Sequence, residues 1–119
     1  MARILVLDDV WDAAQLVKRI LVAMGHEVYP FTEENEALNF INANQIDLAI
    51  LDIKLKQMSG IEVLAKIKAI SPSTRVIMLT GYPTPETAQE SKNLGASEYC
   101  IKPIDTDELE AKVSKVLAT

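Results

Sequence analysis

The chain has 119 residues, 49% of them apolar and 24% charged, the composition of one folded domain rather than a disordered tail, a fibre or a disulfide-stapled miniature. Its longest charge-free stretches, Ala37 to Ile46 and Val76 to Pro85, run to ten residues, about half of what a membrane-crossing helix requires. A formal net charge of -5 disfavours direct binding to nucleic acid, where affinity comes mostly from cations displacing counterions. The first element, Arg3 to Leu7, is a run of four apolar residues behind one arginine, the pattern of a strand covered on both faces. It stops at Asp8-Asp9, too soon for the apolar region of a signal peptide. Asp12 to Met24 then places Val17, Ile20, Leu21 and Met24 on one helical stripe, with Gly25 suited to the C-terminal cap. Glu27 to Phe31 is a shorter strand with Val28 and Tyr29 as β-formers, and Glu33 to Ala43 returns to helical spacing. Asp47 to Leu51 repeats the continuous apolar run and ends at Asp52. Ser59 to Ile70 is a helix closed by Ser71-Pro72.

Arg75 to Leu79 is the third such run and ends at Thr80. The fourth helix, Glu86 to Leu94, offers only Ala88 and Leu94 as apolar anchors, so little burial holds it. Glu98 to Ile101 is the last strand. Asp105 to Leu117 is the last helix, with Asp105 or Thr106 as N-cap. Five strands alternating with five helices predict an α/β fold, a five-stranded parallel sheet in the flavodoxin-like order 2-1-3-4-5 with helices on both faces. No linker or repeat divides the chain, so a single domain over residues 1–119 is expected. Cys100 is the single cysteine, which leaves no internal disulfide and agrees with a reducing compartment; the expected location is the cytoplasm.

In that strand order the functional crevice lies at the carboxyl ends of the first and third strands. Asp8, Asp9 and Asp52 therefore meet across a spacing of roughly 4.8 Å. Three like charges so close raise the pKa of at least one of them unless a hard divalent cation with oxygen ligands intervenes, and Mg²⁺ is the natural candidate. The plainer alternative has Asp9 capping the first helix with Asp12 three residues on, and Asp52 as a turn residue. Thr80 brings a hydroxyl about one strand spacing from Asp52, and Lys102 an ammonium on a stem able to reach two strands across. Carboxylate, cation, hydroxyl and lysine together form a phosphoryl-binding arrangement.

With Asp8-Asp9, Asp52, Thr80-Gly81 and Lys102-Pro103 each at the end of a predicted strand, the sequence resembles, over essentially its whole length, the receiver domain of two-component response regulators. The resemblance implies that Asp52 is the phosphoacceptor, taking a phosphoryl group from a phosphohistidine on a sensor histidine kinase or phosphotransfer protein. It implies that Asp8, Asp9, Asp52 and the backbone carbonyl of Lys54 hold Mg²⁺, that Thr80 and Lys102 contact phosphoryl oxygens, and that Lys102-Pro103 is a cis peptide. Thr80 and Tyr99 would be the switch pair. The fourth helix, fifth strand and fifth helix would present the result to an effector domain or protein, with homodimerisation on phosphorylation a further expectation and no direct contact with nucleic acid or membrane. Such a domain would catalyse only its own phosphorylation and dephosphorylation.

The sequence departs from the family pattern at Leu55-Lys56, where a Met-Pro pair is frequent, and the loop is expected to be more flexible for it. Lys54 and Tyr82 stand where the family tunes access of the hydrolytic water, and bulky Tyr82 is expected to slow dephosphorylation. Trp11 reads as exposed or packed on the first helix, His26 as a turn residue, and Cys100 as a small core residue. Two other classes compete. A phosphorylation-independent pseudo-receiver would leave all five site residues idle. A flavodoxin-like cofactor binder would need a Gly/Ser/Thr-rich loop where Asp8-Asp9-Val10-Trp11 stands, and a phosphohydrolase a substrate-covering insertion that the short connections do not provide.

Overall fold

The computed structural model describes residues 1–55 and 58–119. Lys56, on which part of the expectation of a flexible loop rests, lies outside the described residues. Five βα units follow one another: β1 (Arg3–Leu7), α1 (Trp11–Ala23), β2 (Glu27–Phe31), α2 (Glu34–Ala43), β3 (Leu48–Asp52), α3 (Gly60–Ile70), β4 (Arg75–Thr80), α4 (Pro85–Asn93), β5 (Glu98–Ile101) and α5 (Thr106–Leu117). All pairings are parallel and the strand order is β2-β1-β3-β4-β5, as the alternation of elements predicts.

The continuous apolar runs are explained by two separate cores. Ile4, Val6, Leu48, Ile50, Ile77 and Leu79 point to one face of the sheet, under Val17 and Leu21 of α1 and Leu109 and Val113 of α5. Leu5, Leu7, Ala49, Leu51, Val76 and Met78 point to the other, under Leu38 and Ile41 of α2 and Leu64 and Ile67 of α3. Alternate residues of each strand are therefore buried on opposite sides, and no polar alternation survives. Pro30 stands inside β2, which is tolerable because β2 is an edge strand and a missing N–H there breaks no central ladder.

The helix boundaries differ from the expected ones by a residue: Met24, Glu33, Ser59 and Leu94 are caps, α1 and α4 start one residue earlier at Trp11 and Pro85, and Asp105 is the N-cap expected of it. Glu33, Ser59 and Asp105 each accept a hydrogen bond from the backbone amide three residues on, and Thr84 forms a capping box with Thr87 ahead of Pro85. Helix α1 has Val10 as N-cap and no side-chain cap, so the reading of Asp9 as a capping residue is not what the structure shows. Met24 is the C-cap of α1, and Gly25 follows with φ 94°, a left-handed turn open to glycine. Asp52 and Thr80 fall inside their strands rather than just beyond them.

Candidate functional site

The parallel register sets the site. Leu7 is level with Leu51 and Asp52 with Leu79, so Asp8, Asp52 and Thr80 emerge side by side where β1, β3 and β4 end. Carboxylate oxygens of Asp8, Asp9 and Asp52 lie within 4.8 Å of one another, with Asp8 and Asp52 buried and Asp9 half-buried. Asp8 is held from two sides: the Val10 amide donates to its Oδ1 at 2.9 Å, and the Lys102 ammonium donates to its Oδ2 at 2.7 Å. Helix α1 has no side-chain cap because its N-cap is Val10, whose side chain carries no acceptor.

Lys102 follows β5 and is anchored by its own amide, which donates to the Thr80 carbonyl at 2.7 Å. Its side chain crosses β4 to reach Asp52 Oδ2 at 3.5 Å and continues to Asp8 beyond β3, one strand further than expected. The Lys102–Pro103 peptide is cis. Burial alone would lower the Lys102 pKa, but its hydrogen bond to Asp8 and the charges of Asp8 and Asp52 hold it above the ordinary lysine value. Burial raises the Asp52 carboxyl above its usual range; Lys102 and the Lys54 amide, which donates to Asp52 Oδ1 at 3.3 Å, oppose the rise and Asp8 adds to it. Among the described residues Lys102 is the cation recorded against the Asp52 carboxylate, and a carboxylate so placed has the chemistry of a nucleophile or of a cation ligand.

The donor set suits a hard cation. Two of the three clustered carboxylates, those of Asp9 and Asp52, line a crevice of about 260 Å³ bordered also by Lys54, Tyr82 and Lys102. At ~30 Å³ per water, that volume has room for a hydrated ion and a phosphoryl group together. Thr80 is fully buried, and its hydroxyl accepts a hydrogen bond from the Tyr82 amide at 3.0 Å, which turns the chain sharply after β4. At the mouth, the Lys54 ammonium sits 4.1 Å from the centroid of the exposed Tyr82 ring. This cation–π contact spans the crevice between the loops that follow β3 and β4.

Further out, the half-buried Tyr99 on β5 shares a 2.9 Å hydrogen bond with Thr87 on α4. Of the two anchors expected in α4, Leu94 is 36% exposed and Ala88 only half-buried. The buried residue is Ser91, at 1% exposure, and its hydroxyl has no hydrogen-bond partner among the described residues. Trp11 is exposed at the start of α1. His26 Nδ1 accepts from the Ala2 amide at the far end of the sheet, and Cys100 is a free thiol within the α1/α5 core, its pKa pushed up by burial.

Gly60, a packing and turn residue by its sequence context, is confirmed as one, whereas Glu34 carries no sign in the sequence. A Cβ on Gly60 would lie 2.8 Å from Ile53 Cα and overlap the Asp52 carbonyl, so α3 starts in direct contact with the backbone of the phosphoacceptor candidate. The Met58-Ser59-Gly60 turn was the signal available for it. Glu34, at 1% exposure, accepts a hydrogen bond from the Met58 amide at 2.9 Å. Nothing in the one-dimensional pattern marks an acid at the start of an amphipathic helix as buried.

The response regulator receiver domain profile matches residues 4–114. The chain is 36% identical over 115 residues to the transcriptional regulatory protein ZraR of Escherichia coli K12, covering 97% of this chain but 26% of that protein, about a quarter of its length. It is 35% identical over 115 residues to sporulation initiation phosphotransferase F of Bacillus subtilis 168, covering 97% and 93%. Among solved structures, a CheY-like receiver domain protein from Methanospirillum hungatei JF-1 superposes with a TM-score of 0.95 at 36% identity, covering 99% of this chain and 94% of that one. The response regulator TrrA from Thermotoga maritima, solved in complex with Mg²⁺-BeF, does so with a TM-score of 0.88 at 35% identity, covering 98% and 99%.

Proposed function

This chain belongs to the response regulator receiver domain family, and from that premise we propose that it is the Mg²⁺-dependent phosphoacceptor switch of a two-component phosphorelay, one receiver domain over residues 1–119, working in the cytoplasm. The observation that carries the proposal is the convergence of Asp8, Asp9 and Asp52 with Lys102 bridging two of them.

Asp52 is the phosphoacceptor. One of its carboxylate oxygens attacks the phosphorus of a phosphohistidine on a sensor histidine kinase or phosphotransfer protein, the P–N bond breaks, and the imidazole nitrogen leaves with the bonding pair and takes a proton. The product is an acyl phosphate on Asp52. Asp8, Asp9, Asp52 and the Lys54 carbonyl would hold Mg²⁺, which when bound neutralises charge on the phosphoryl oxygens and the crowded carboxylates. Lys102, now paired to Asp8 and Asp52, has its ammonium at the right depth to pair with a phosphoryl oxygen as well. The Thr80 hydroxyl turns from the Tyr82 amide to the phosphoryl group, and Tyr99 leaves Thr87 for the interior. These movements alter the α4–β5–α5 face, which an effector domain or protein reads and through which phosphorylated copies pair. The domain turns over no metabolite.

The support for a moving α4 is its thin attachment: one buried side chain, a serine, and the Thr87–Tyr99 bond. The complex of the T. maritima relative with Mg²⁺-BeF supports the same use of the matching crevice here. Incubation with acetyl phosphate and Mg²⁺ followed by intact-mass measurement tests the reading. The wild-type chain gains one phosphoryl group, gains none when a chelator withholds Mg²⁺ from the reaction, and Asp52→Asn gains none. A wild-type chain that stays unmodified and gives no response to beryllofluoride is a pseudo-receiver acting only as an interaction module.

A further inference from the structure

Glu34 is a carboxylate taken almost wholly out of water, and the crevice chemistry does not use it. It is the first residue of α2, so the positive end of that helix favours its charge. Its Oε2 accepts from the Met58 amide at 2.9 Å, a charge-assisted bond to the loop between β3 and α3, 24 residues away in sequence. That loop leaves Asp52 and must return to Gly60, whose amide donates to the Ile53 carbonyl at 2.7 Å. Its outgoing limb orients the Asp52 carboxylate through the Lys54 amide. The sequence has no proline between Ile53 and Ser59. Among the described residues, the Met58 amide ties the returning limb to α2.

We propose that Glu34 is a positioning residue for the phosphoacceptor loop: by holding the Met58 amide it fixes the path of the segment that carries Asp52 and the Lys54 carbonyl, and thereby sets the affinity of the acidic crevice for a divalent cation. The inference rests on the phosphoacceptor reading of that crevice. It assigns to a buried acid on α2 the part that outer partners play around metal sites, where their removal weakens binding by about 10- to 100-fold.

The test uses the full chain as wild type, Glu34→Ala and Glu34→Gln, with Mg²⁺ alone as the probe. Mg²⁺ affinity is measured by calorimetry, exchange of the Met58 amide proton by NMR, and folding by far-ultraviolet circular dichroism. Glu34→Ala is expected to weaken Mg²⁺ binding about tenfold and to speed Met58 exchange. Glu34→Gln, which keeps an acceptor oxygen for the Met58 amide, is expected to recover most of both. A folded Glu34→Ala chain that binds Mg²⁺ as tightly as wild type, or a Met58 amide in the wild type that exchanges at the rate of an unstructured one, overturns the proposal. If Glu34→Ala does not fold, the Glu34→Gln titration and wild-type exchange rate decide. Failure of the wild type to bind Mg²⁺ or accept phosphoryl sinks the reading of the crevice instead, while Met58 protection still reports on the tie itself.

Discussion

Helices α3 and α4 are neighbours of similar length, 11 and 9 residues, yet they are attached to the molecule in opposite ways. Helix α3 buries Ile61, Val63, Leu64 and Ile67 and starts at Gly60, pressed against the Asp52 backbone. Helix α4 buries Ser91 alone, half-buries Thr87 and Ala88, and is tied to β5 by the Thr87–Tyr99 hydrogen bond. A fully buried aliphatic side chain contributes about 1.5–3 kcal/mol, and a single hydrogen bond about 0.5–1.5 kcal/mol. The first helix therefore cannot shift without disturbing the core, whereas the second can move for the free energy of one or two bonds. The stiff helix is the one that abuts Asp52, and the loose one lies beside β5.

Substitutions can break this contrast or sharpen it. The largest effect is expected at Leu64→Ala, which empties a fully buried position under the sheet and should lower stability by about 2–5 kcal/mol in urea denaturation. A loss under ~1 kcal/mol would mean that α3 is no better anchored than α4. Ser91→Ala is expected to change stability in the opposite sense, a gain of about 1 kcal/mol, because it removes a buried hydroxyl that has no partner among the described residues. A clear loss instead would show that the hydroxyl holds α4 and that the looseness is illusory.

Tyr82→Ala removes the ring that Lys54 covers at the crevice mouth. Since a cation–π contact at an exposed site is worth ~0.5–1 kcal/mol, the phosphoryl group on Asp52 should be lost about two to five times faster, measured by the decay of the phosphorylated mass. An unchanged or longer lifetime removes the shielding role. The smallest effect lies at the opposite end of the sheet and serves as a control on both helices. Burial, then the nearby N-terminal ammonium, lowers the His26 pKa below its ordinary 6.5, and the neutral ring accepts from the Ala2 amide. The contribution is complete above pH 6.5. It falls as the pH drops through the window down to the lowered folded value, because the unfolded chain takes up its proton first. His26→Gln should flatten that slope in urea midpoints measured between about pH 7.5 and about pH 5.5; an unaltered slope would assign it elsewhere.

The architecture was legible because strands covered on both faces cannot alternate, so β1, β3 and β4 announce themselves as unbroken apolar runs, each followed at once by a residue of the site. Cys100 lies in the core as its strand context suggests, and His26 lies in the connection between α1 and β2, just after the Met24-Gly25 turn. What escaped depends on contacts distant in sequence. Asp9 looks like a helix cap until Val10 is seen in that position. Leu94 looks like an anchor because it is apolar, yet the helix ends there and the buried position one turn earlier belongs to a serine. Glu34 sits among charged neighbours at the start of α2, and only the fold brings the Met58 amide to it.

The ion pair between Lys102 and Asp8 joins groups 94 residues apart. During synthesis the three acids are therefore made long before the cation that balances two of them, and β5 must dock beside β4 before that balance exists. A nascent or truncated chain ending ahead of Lys102 carries the crowded acids without the ammonium that bridges Asp8 and Asp52, and cannot reach this arrangement however well its earlier units pack.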